Sequence, residues 1–268
     1  MLRPRITPCL LVHEGGLVKT TKFKAPQYVG DPINAVRIFN EKEADELIVL
    51  DIDATANSTE PDYKLIANLA AECRMPLCYG GGITTVEQAK RIISLGVEKV
   101  ALSAAAVASS KLITEISEAV GKQSVAIIID VKKRMLGSAY DVFTHNGSRK
   151  TGVSALDFAE AMERAGAGEI IFNSIDRDGT MSGYDLSLAR LLRSRVNVPI
   201  SLLGGAGSLD HISELIENVG VIGASAGSLF VFKGKYRAVL INYPSPTEKE
   251  ALIQKAIRMS SHSNSITD

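Results

Sequence analysis

The 268-residue chain has no tryptophan, only three cysteines and four histidines, and no excess of either charge. Cys9, Cys73 and Cys78 are an odd number without paired spacing, so we expect reduced thiols in a cytoplasmic protein. The histidines are scattered, without HxxxH or CxxC spacing, which predicts no metal site, and we expect no cofactor. Thirty basic residues balance thirty acidic ones, so nothing indicates a nucleic-acid-binding face.

Long hydrophobic runs are also missing. None approaches the roughly 18 apolar residues of a membrane helix, so we expect no membrane span. The first seven residues carry two arginines, but no long hydrophobic segment follows them, and we expect no signal peptide. Hydrophobic residues still make up 46% of the chain, which is enough for a sizeable core. The length fits one α/β barrel, a fold that typically takes about 250 residues.

Short apolar segments alternate with helical patterns along the chain. Eight such β-then-α units predict a (β/α)8 TIM barrel. A doubly wound open sheet is the alternative, but it would need a crossover, and no early GxGxxG is present. The predicted strands lie near 6–12, 46–52, 76–80, 98–103, 124–130, 168–174, 199–203 and 220–224. The predicted helices lie at 31–40, 62–73, 85–95, 111–120, 155–165, 187–195 and 209–217.

The two halves of the chain repeat each other. Residues 46–53 correspond to 169–176, and residues 76–82 to 199–205, at a constant offset of 123 positions. A shared register over this span implies two similar (β/α)4 half-barrels with a pseudo-two-fold site. The barrel is predicted to occupy residues 1–245. For 246–268 we expect a terminal helix to about residue 259 and then a disordered polar tail.

The segment VAIIID at residues 125–130 is the first indication of a site. Five apolar residues followed by a carboxylate are typical of a buried parallel strand with a polar carboxyl end. In a parallel barrel that end faces the active site, which makes Asp130 a catalytic candidate. The alternative is that Asp130 caps the loop that follows. Other strands of this chain end in the same way, which favours a site.

Two glycine-rich loops each follow a predicted strand and precede a helix: the first spans residues 80–82 and the second residues 204–207. Glycine allows backbone N–H groups to approach an anion closely, although such loops are often only tight turns. Two symmetric copies predict a ligand with a phosphate at each end. The predicted phosphate-binding residues of these loops and of the small residues after the following strands are Gly81, Gly82, Ser103, Gly204, Gly205, Gly227 and Ser228.

Five segments carry a resemblance to a known family: RITPCLLV, ADELIVLDI, CYGGGI, IDRDGTMSGYD and GGAGSLDH. Together they resemble the cyclase subunit of imidazole glycerol phosphate synthase, over about residues 3 to 243. The resemblance implies a two-fold symmetric (β/α)8 barrel that receives ammonia from a glutaminase docked on its N-terminal face. It also implies a phosphoribosyl aminoimidazole carboxamide substrate with two phosphates, which matches the paired glycine loops.

The same resemblance assigns further roles residue by residue. It implies that Lys19, Asp51, Asn173 and Asp178 bind substrate, and that Gly179 joins the phosphate site. Lys19 lies in a segment, residues 14–30, that is long enough to act as a lid. Gln123 matches a position near the glutaminase interface. The implied ammonia gate, which could otherwise be a set of ordinary strand-start charges, consists of Arg5, Glu46, Lys99 and Glu169.

Departures from the family pattern concern the chemistry. Leu11 stands where the family has a catalytic aspartate, and leucine can act neither as acid nor as base. Asn173 and Asp53 each replace a threonine, and Ser103-Ala104 replaces Asn-Thr. His13 and Glu14, just beyond Leu11, are candidate substitutes. These changes argue against cyclase activity while the glycine loops are kept.

Three hypotheses follow. The leading one is a barrel that pairs with a glutaminase and channels ammonia for amidation or amidination of a surface-polysaccharide nucleotide sugar, a reaction carried out by a third protein. The second is a working cyclase-lyase of histidine biosynthesis that uses Asp130 and a displaced partner group. The third is a scaffold whose glycine loops hold a regulatory phosphate ligand.

Overall fold

The computed structural model describes residues 3–264. Its strands are, in chain order, β1 (Arg5–His13), β2 (Gly16–Thr21), β3 (Lys24–Gly30), β4 (Leu47–Asp51), β5 (Leu77–Gly80), β6 (Lys99–Leu102), β7 (Val125–Lys133), β8 (Tyr140–Thr144), β9 (Arg149–Ser154), β10 (Glu169–Ser174), β11 (Ile200–Leu203), β12 (Gly223–Ala226), β13 (Phe232–Lys233) and β14 (Ala238–Val239). Its α-helices are α1 (Pro32–Glu41), α2 (Tyr63–Glu72), α3 (Val86–Ser94), α4 (Ala104–Ala108), α5 (Ser110–Val120), α6 (Ala155–Ala165), α7 (Leu186–Arg193), α8 (Leu209–Val219), α9 (Ser228–Val231) and α10 (Pro246–Asn264).

Eight of these strands close into a parallel barrel. Their order around the ring is β1, β4, β5, β6, β7, β10, β11 and β12, and β12 pairs again with β1. The pairing of β7 with β10 joins the two half-barrels, from Glu169 opposite Ala126 to Ser174 opposite Val131. The predicted (β/α)8 barrel is therefore confirmed. A doubly wound sheet is excluded, because such a sheet is open and has two edge strands, whereas each of these eight strands pairs with a barrel neighbour on both sides.

The barrel strands bury both of their faces. Successive side chains of a strand point to opposite sides, so Ile127 and Ile129 of β7 pack against the outer helices while Ala126 and Ile128 point into the barrel. This double burial explains why VAIIID reads as one uninterrupted apolar run. The buried apolar residues inside the barrel are Cys9, Ile48, Cys78, Ala101, Ala126, Ile128, Ile171 and Leu203.

Two β-hairpins that we did not predict extend from the carboxyl ends of β1 and β7. Residues 14–30 were expected to form a lid loop, but β2 and β3 form an antiparallel hairpin there. The second hairpin, β8 and β9, continues β7 in the same way. His145 and Asn146 both have positive φ in its turn, which suits the Asn146-Gly147 pair. The hairpins occupy equivalent places in the two halves.

Three segment boundaries differ from our predictions by three residues or more. The β7 strand continues to Lys133 instead of ending near residue 130, because its last residues pair with β8. The eighth barrel strand begins at Gly223 rather than near residue 220, because its pairing with Arg5 starts there and Val221 is left exposed. The terminal helix continues through Asn264 instead of ending near residue 259. The rest of the expected disordered tail, residues 265–268, lies outside the described residues. Within residues 3–264, no helix is both long and apolar enough to cross a bilayer.

Candidate functional site

A cavity of about 830 Å³ lies at the carboxyl ends of the barrel strands. All eight strands contribute to its wall, so its position is that of the active site in parallel barrels. Gly81 and Gly82 of the first glycine loop line it together with Ser103, which follows β6. Gly204 and Gly205 of the second glycine loop line it together with Gly179, Gly227 and Ser228 from the neighbouring segments. The four residues with implied substrate contacts, Lys19, Asp51, Asn173 and Asp178, line the same cavity. The structure thus brings together the predicted phosphate- and substrate-binding residues of this end of the barrel, whereas Glu14, a candidate substitute for the missing acid or base, does not line the cavity.

Asp130 lies on β7 where the strand leaves the barrel to pair with β8, and it is directly paired with Asn173 of β10. The Asn173 Nδ2 group donates a hydrogen bond of 3.0 Å to Asp130 Oδ1. Burial raises the pKa of Asp130 to about 7, although the hydrogen bond from Asn173 opposes this increase. A carboxyl group with such a pKa can exchange a proton near neutral pH. Within residues 3–264, Asn173 Oδ1 is buried without a hydrogen-bond partner.

Leu11 faces the same cavity from β1, next to Leu50 of β4. Both leucines pack against the apolar side chains inside the barrel. The cavity wall is therefore apolar at the position of Leu11. His13 is two residues further along β1 and also lines the cavity. Its Nδ1 is 2.7 Å from Asp53 Oδ1, and the Glu14 backbone N–H donates to Asp53 Oδ2. The hydrogen bond to Asp53 raises the pKa of His13.

The first glycine loop lies against the end of β4. Asp51 Oδ1 accepts hydrogen bonds from the backbone N–H groups of Asp53 and Ala54, at 2.9 and 3.0 Å. Burial raises the pKa of Asp51. Gly81 has φ +127°, and a Cβ there would lie 2.5 Å from the Asp51 carbonyl oxygen. The close approach of the two chains therefore requires glycine at this position.

The second glycine loop faces the hairpin that follows β1. Lys19 is 6% exposed, and its Nζ donates a hydrogen bond to the Cys9 carbonyl oxygen beside Gly227. Burial lowers the pKa of Lys19. Asp178 Oδ2 holds the hairpin in place by accepting from the Thr20 hydroxyl at 2.7 Å and from the Phe23 N–H at 3.0 Å. A buried ammonium group thus lies next to the glycines of the second loop.

Four charged side chains form a closed ring at the opposite end of the barrel. Arg5 donates to Glu46 and Glu169, and Lys99 donates to the same two carboxylates, with all four N···O distances at 2.7 Å. Burial alone would lower the pKa of Lys99, but the two glutamates outweigh it and raise that pKa. The Ser201 hydroxyl, which we did not predict, donates to Glu169 Oε1 at 2.6 Å. The ring is closed and fully paired.

Two more observations complete the site. Gln123 is exposed on a 3-10 turn, Lys122–Ser124, just before β7, and therefore lies at the same end of the barrel as the charged ring. Sequence reasoning missed His145 and Asn146, which the second hairpin places on the cavity wall. The Asn146-Gly147 pair was the available signal for that hairpin. In the part of the chain that the structure describes, no group of three or more His, Cys, Asp or Glu side chains could hold a metal ion.

The fold and the cavity define this chain as a (β/α)8 barrel of the class that binds its ligands at the carboxyl ends of the strands. Residues 5–237 match the sequence model of a family described as "Histidine biosynthesis protein". The chain belongs to this family and, within it, groups with the HisF subunits of imidazole glycerol phosphate synthase.

Three relatives support this assignment. The Vibrio vulnificus (strain YJ016) protein "Putative imidazole glycerol phosphate synthase subunit hisF3" is 57% identical over 254 residues, 95% of this chain and 98% of the relative. "Putative imidazole glycerol phosphate synthase subunit HisF" of Leptospira borgpetersenii is 58% identical over 252 residues, 94% and 99% of the two chains. "Putative imidazole glycerol phosphate synthase subunit hisF2" of Pseudomonas aeruginosa is 55% identical over 244 residues, which cover 91% of this chain and 97% of the relative.

Proposed function

We propose that this barrel pairs with a HisH-like glutaminase and channels ammonia from it to the cavity at the other end. The observation that carries the proposal is the closed ring of Arg5, Glu46, Lys99 and Glu169 at the amino ends of the strands. Two cations and two anions neutralise each other there, so the entrance has no net charge. The three unpaired thiols fit a cytoplasmic location for this pair of proteins.

Passage requires a change in the ring, because all four ion pairs are formed. Ammonia is small and neutral, so opening a single ion pair would give it room to pass. Each carboxylate would then still be paired with at least one cation. Beyond the ring, the barrel interior is lined by apolar side chains, of which Cys9, Cys78, Ala101 and Ala126 are small. Such a lining gives a charged ion no partner and therefore favours a neutral molecule. The ring thereby acts as the ammonia gate.

The cavity is the proposed destination of the ammonia and the binding site of a phosphate-bearing small molecule. Lys19, Asp51, Asn173 and Asp178 contact this ligand, and Asp130 is its acid or base. A cyclisation needs both a general acid and a general base, and Leu11 stands where the second of these groups would be. We therefore propose that the ammonia serves amidation or amidination of a surface-polysaccharide nucleotide sugar, with a third protein as the sugar-modifying partner.

The glutaminase pairing is tested by the complex itself. The barrel is mixed with a HisH-like glutaminase from the same organism, and complex formation is measured by size-exclusion chromatography with light scattering. We expect a one-to-one complex that Gln123→Arg weakens at least tenfold, because Gln123 lies at the gate end of the barrel. Met135→Arg is the matched control, since Met135 is fully exposed on the hairpin beyond the opposite end. Absence of a complex would refute the pairing.

A second candidate function is the cyclase-lyase reaction of imidazole glycerol phosphate synthase. The buried Asp130 favours it, because a carboxyl group with a pKa of about 7 is suited to proton transfer at neutral pH. Complementation of a strain that lacks the histidine cyclase distinguishes the two candidates. Growth at the wild-type level would support the cyclase, and failure to grow would support the ammonia-delivering role.

A further inference from the structure

The two ends of the cavity differ in their charged groups, although both carry a glycine loop. Lys19 places its buried ammonium group beside Gly227, next to the second loop. Lys19 is the only lysine or arginine on the described cavity wall. A phosphate at the second loop therefore has a cation within the cavity. The first loop lacks such a group.

The pseudo-symmetry of the barrel shows where an equivalent cation would be. Leu11 and Asp130 occupy matching places on β1 and β7, and the hairpins pair them with Val18 and Phe143. Lys19 follows Val18, so its counterpart is the residue that follows Phe143, which is Thr144. A neutral hydroxyl group thus replaces the ammonium group in the other half.

The next residues of the second hairpin do not supply a cation either. Asn146 is neutral, and its Nδ2 donates to the Ile52 carbonyl oxygen at 2.9 Å. Burial lowers the pKa of His145, which disfavours the charged form of its ring. The hairpin therefore brings no lysine or arginine to the first half of the cavity.

Carboxylates dominate the first half of the cavity. Asp51, Asp53 and Glu60 line it, and no lysine or arginine lies beside them on the described cavity wall. His13 also lies there, but its ring is already hydrogen-bonded to Asp53. A phosphate dianion at the first loop would be repelled by these carboxylates. The two backbone N–H groups that bind Asp51 both donate to Oδ1, so Oδ2 can accept a hydrogen bond from a ligand.

We propose that the cavity takes a ligand with a single phosphate, held at Gly205 and Gly227 with Lys19 as counter-ion, while the first half binds a hydroxyl- or amine-bearing end. Asp51 and Asp53 accept hydrogen bonds from that second end. This inference rests on the proposed phosphate-bearing ligand, and it replaces the symmetric two-phosphate ligand expected from the paired loops. The substrate class is a compound phosphorylated at one end and rich in hydroxyl or amino groups at the other.

The number of anion sites tests the inference directly. Crystals of the full chain are soaked in inorganic phosphate, and phosphate binding in solution is measured by isothermal titration calorimetry. We expect one anion at the second loop and a stoichiometry of one. Two anions, one at each loop with similar affinity, would overturn the inference. Absence of any bound phosphate would overturn both the inference and the phosphate-bearing ligand, whereas the glutaminase pairing is judged separately by complex formation.

Variants separate the two loops. Lys19→Met should weaken phosphate binding at least tenfold, whereas Lys22→Met, an exposed lysine on the same hairpin, should leave it within twofold. Gly227→Ala should also weaken it, because the new methyl group takes the place of the Lys19 ammonium without backbone strain. Ser103→Ala at the first loop should have no effect. If Ser103→Ala weakened phosphate binding as much as Lys19→Met, the proposed difference between the two ends of the cavity would be contradicted.

A gain of binding provides the converse test. Asp53→Thr combined with Glu60→Lys removes two carboxylates from the first half and adds a cation. We expect this double variant to bind a second phosphate, with a stoichiometry of two, while Asp53→Thr alone stays at one. Circular dichroism of the variants confirms that each is folded. A double variant that still binds one phosphate would count against the role assigned to these charges.

Discussion

At the scale of single residues, Asp130 links the packing of the barrel to its chemistry. It lies inside the barrel with one hydrogen bond from Asn173, and burial raises its pKa to about 7. The unfolded chain releases this proton near pH 4. Between these two values the folded state binds more protons than the unfolded state, so the free energy of unfolding decreases as the pH rises.

We expect Asp130→Asn to remove this pH dependence. The variant keeps the shape of the side chain and an acceptor for Asn173, but it cannot ionise. As the pH rises from about 4 to above 7, the free energy of unfolding of the variant should increase by roughly 2–4 kcal/mol relative to that of the wild type, since each pKa unit corresponds to about 1.4 kcal/mol. Urea unfolding at several pH values measures this difference. Asp157→Asn, on the surface, is the control, and equal pH slopes for Asp130→Asn and the wild type would contradict the prediction.

His13 gives a second prediction for a single residue. The hydrogen bond to Asp53 is the main reason that its pKa is raised, and Glu14 and Asp51 add to the effect. Asp53→Asn should therefore lower the pKa of His13, as measured by NMR titration of the ring. His145 serves as an internal reference, because its pKa is set by burial and by Arg149. An unchanged His13 titration would show that the 2.7 Å contact does not control its protonation.

At the scale of the elements, the charged ring joins the starts of four strands that are distant in sequence. Arg5, Lys99 and Glu169 begin β1, β6 and β10, and Glu46 directly precedes β4. Each carboxylate is almost fully buried and has two cationic partners. Partly desolvated charges of this kind are costly to leave without a partner.

Lys99→Met should therefore destabilise the barrel by roughly 3–5 kcal/mol, because it leaves Glu46 and Glu169 to share Arg5. Guanidinium unfolding measures the loss. Lys111→Met removes an exposed ion pair to Glu115 and should change the stability by less than about 1 kcal/mol. The double variant Lys99→Met/Glu169→Gln should recover part of the loss, since it also removes one of the carboxylates. Equal effects of Lys99→Met and Lys111→Met would contradict the ring's energetic role.

The sequence predicted the barrel elements better than the hairpins, for physical reasons. Barrel strands are buried on both faces, so they appear as apolar runs such as VAIIID. Hairpin strands such as β3 and β9 are largely exposed and polar, and they lack that signal. The β12 strand, GASA, has no β-branched residue, which explains why its predicted position was displaced toward Val221 and Ile222.

The candidate site was predictable as a set of residues but not as a set of contacts. Glycine loops and strand-end carboxylates identified the residues that line the cavity. The His13–Asp53 pair, the Ser201 bond to Glu169 and the Asp130–Asn173 bond depend on strand register, which a single sequence does not reveal. The unequal charge of the two halves likewise depends on the fold, which places Lys19 beside Gly227 and the carboxylates of Asp51, Asp53 and Glu60 in the other half.

At the scale of the whole molecule, the barrel carries two different sets of polar side chains at its two ends. The amino ends of the strands carry the closed charged ring and Gln123, and the carboxyl ends carry the glycine loops, Asp130 and Lys19. The apolar interior lies between them. This arrangement suits transfer of a small neutral molecule from a partner at one end to a ligand at the other.

The rate of glutamine hydrolysis tests this account most directly. A HisH-like glutaminase from the same organism is assayed alone and with the barrel, with glutamine as the only source of ammonia. We predict that the barrel raises the glutaminase rate at least tenfold, and that Gln123→Arg reduces this stimulation while Met135→Arg does not. A glutaminase that hydrolyses glutamine equally fast with and without the barrel would contradict the account.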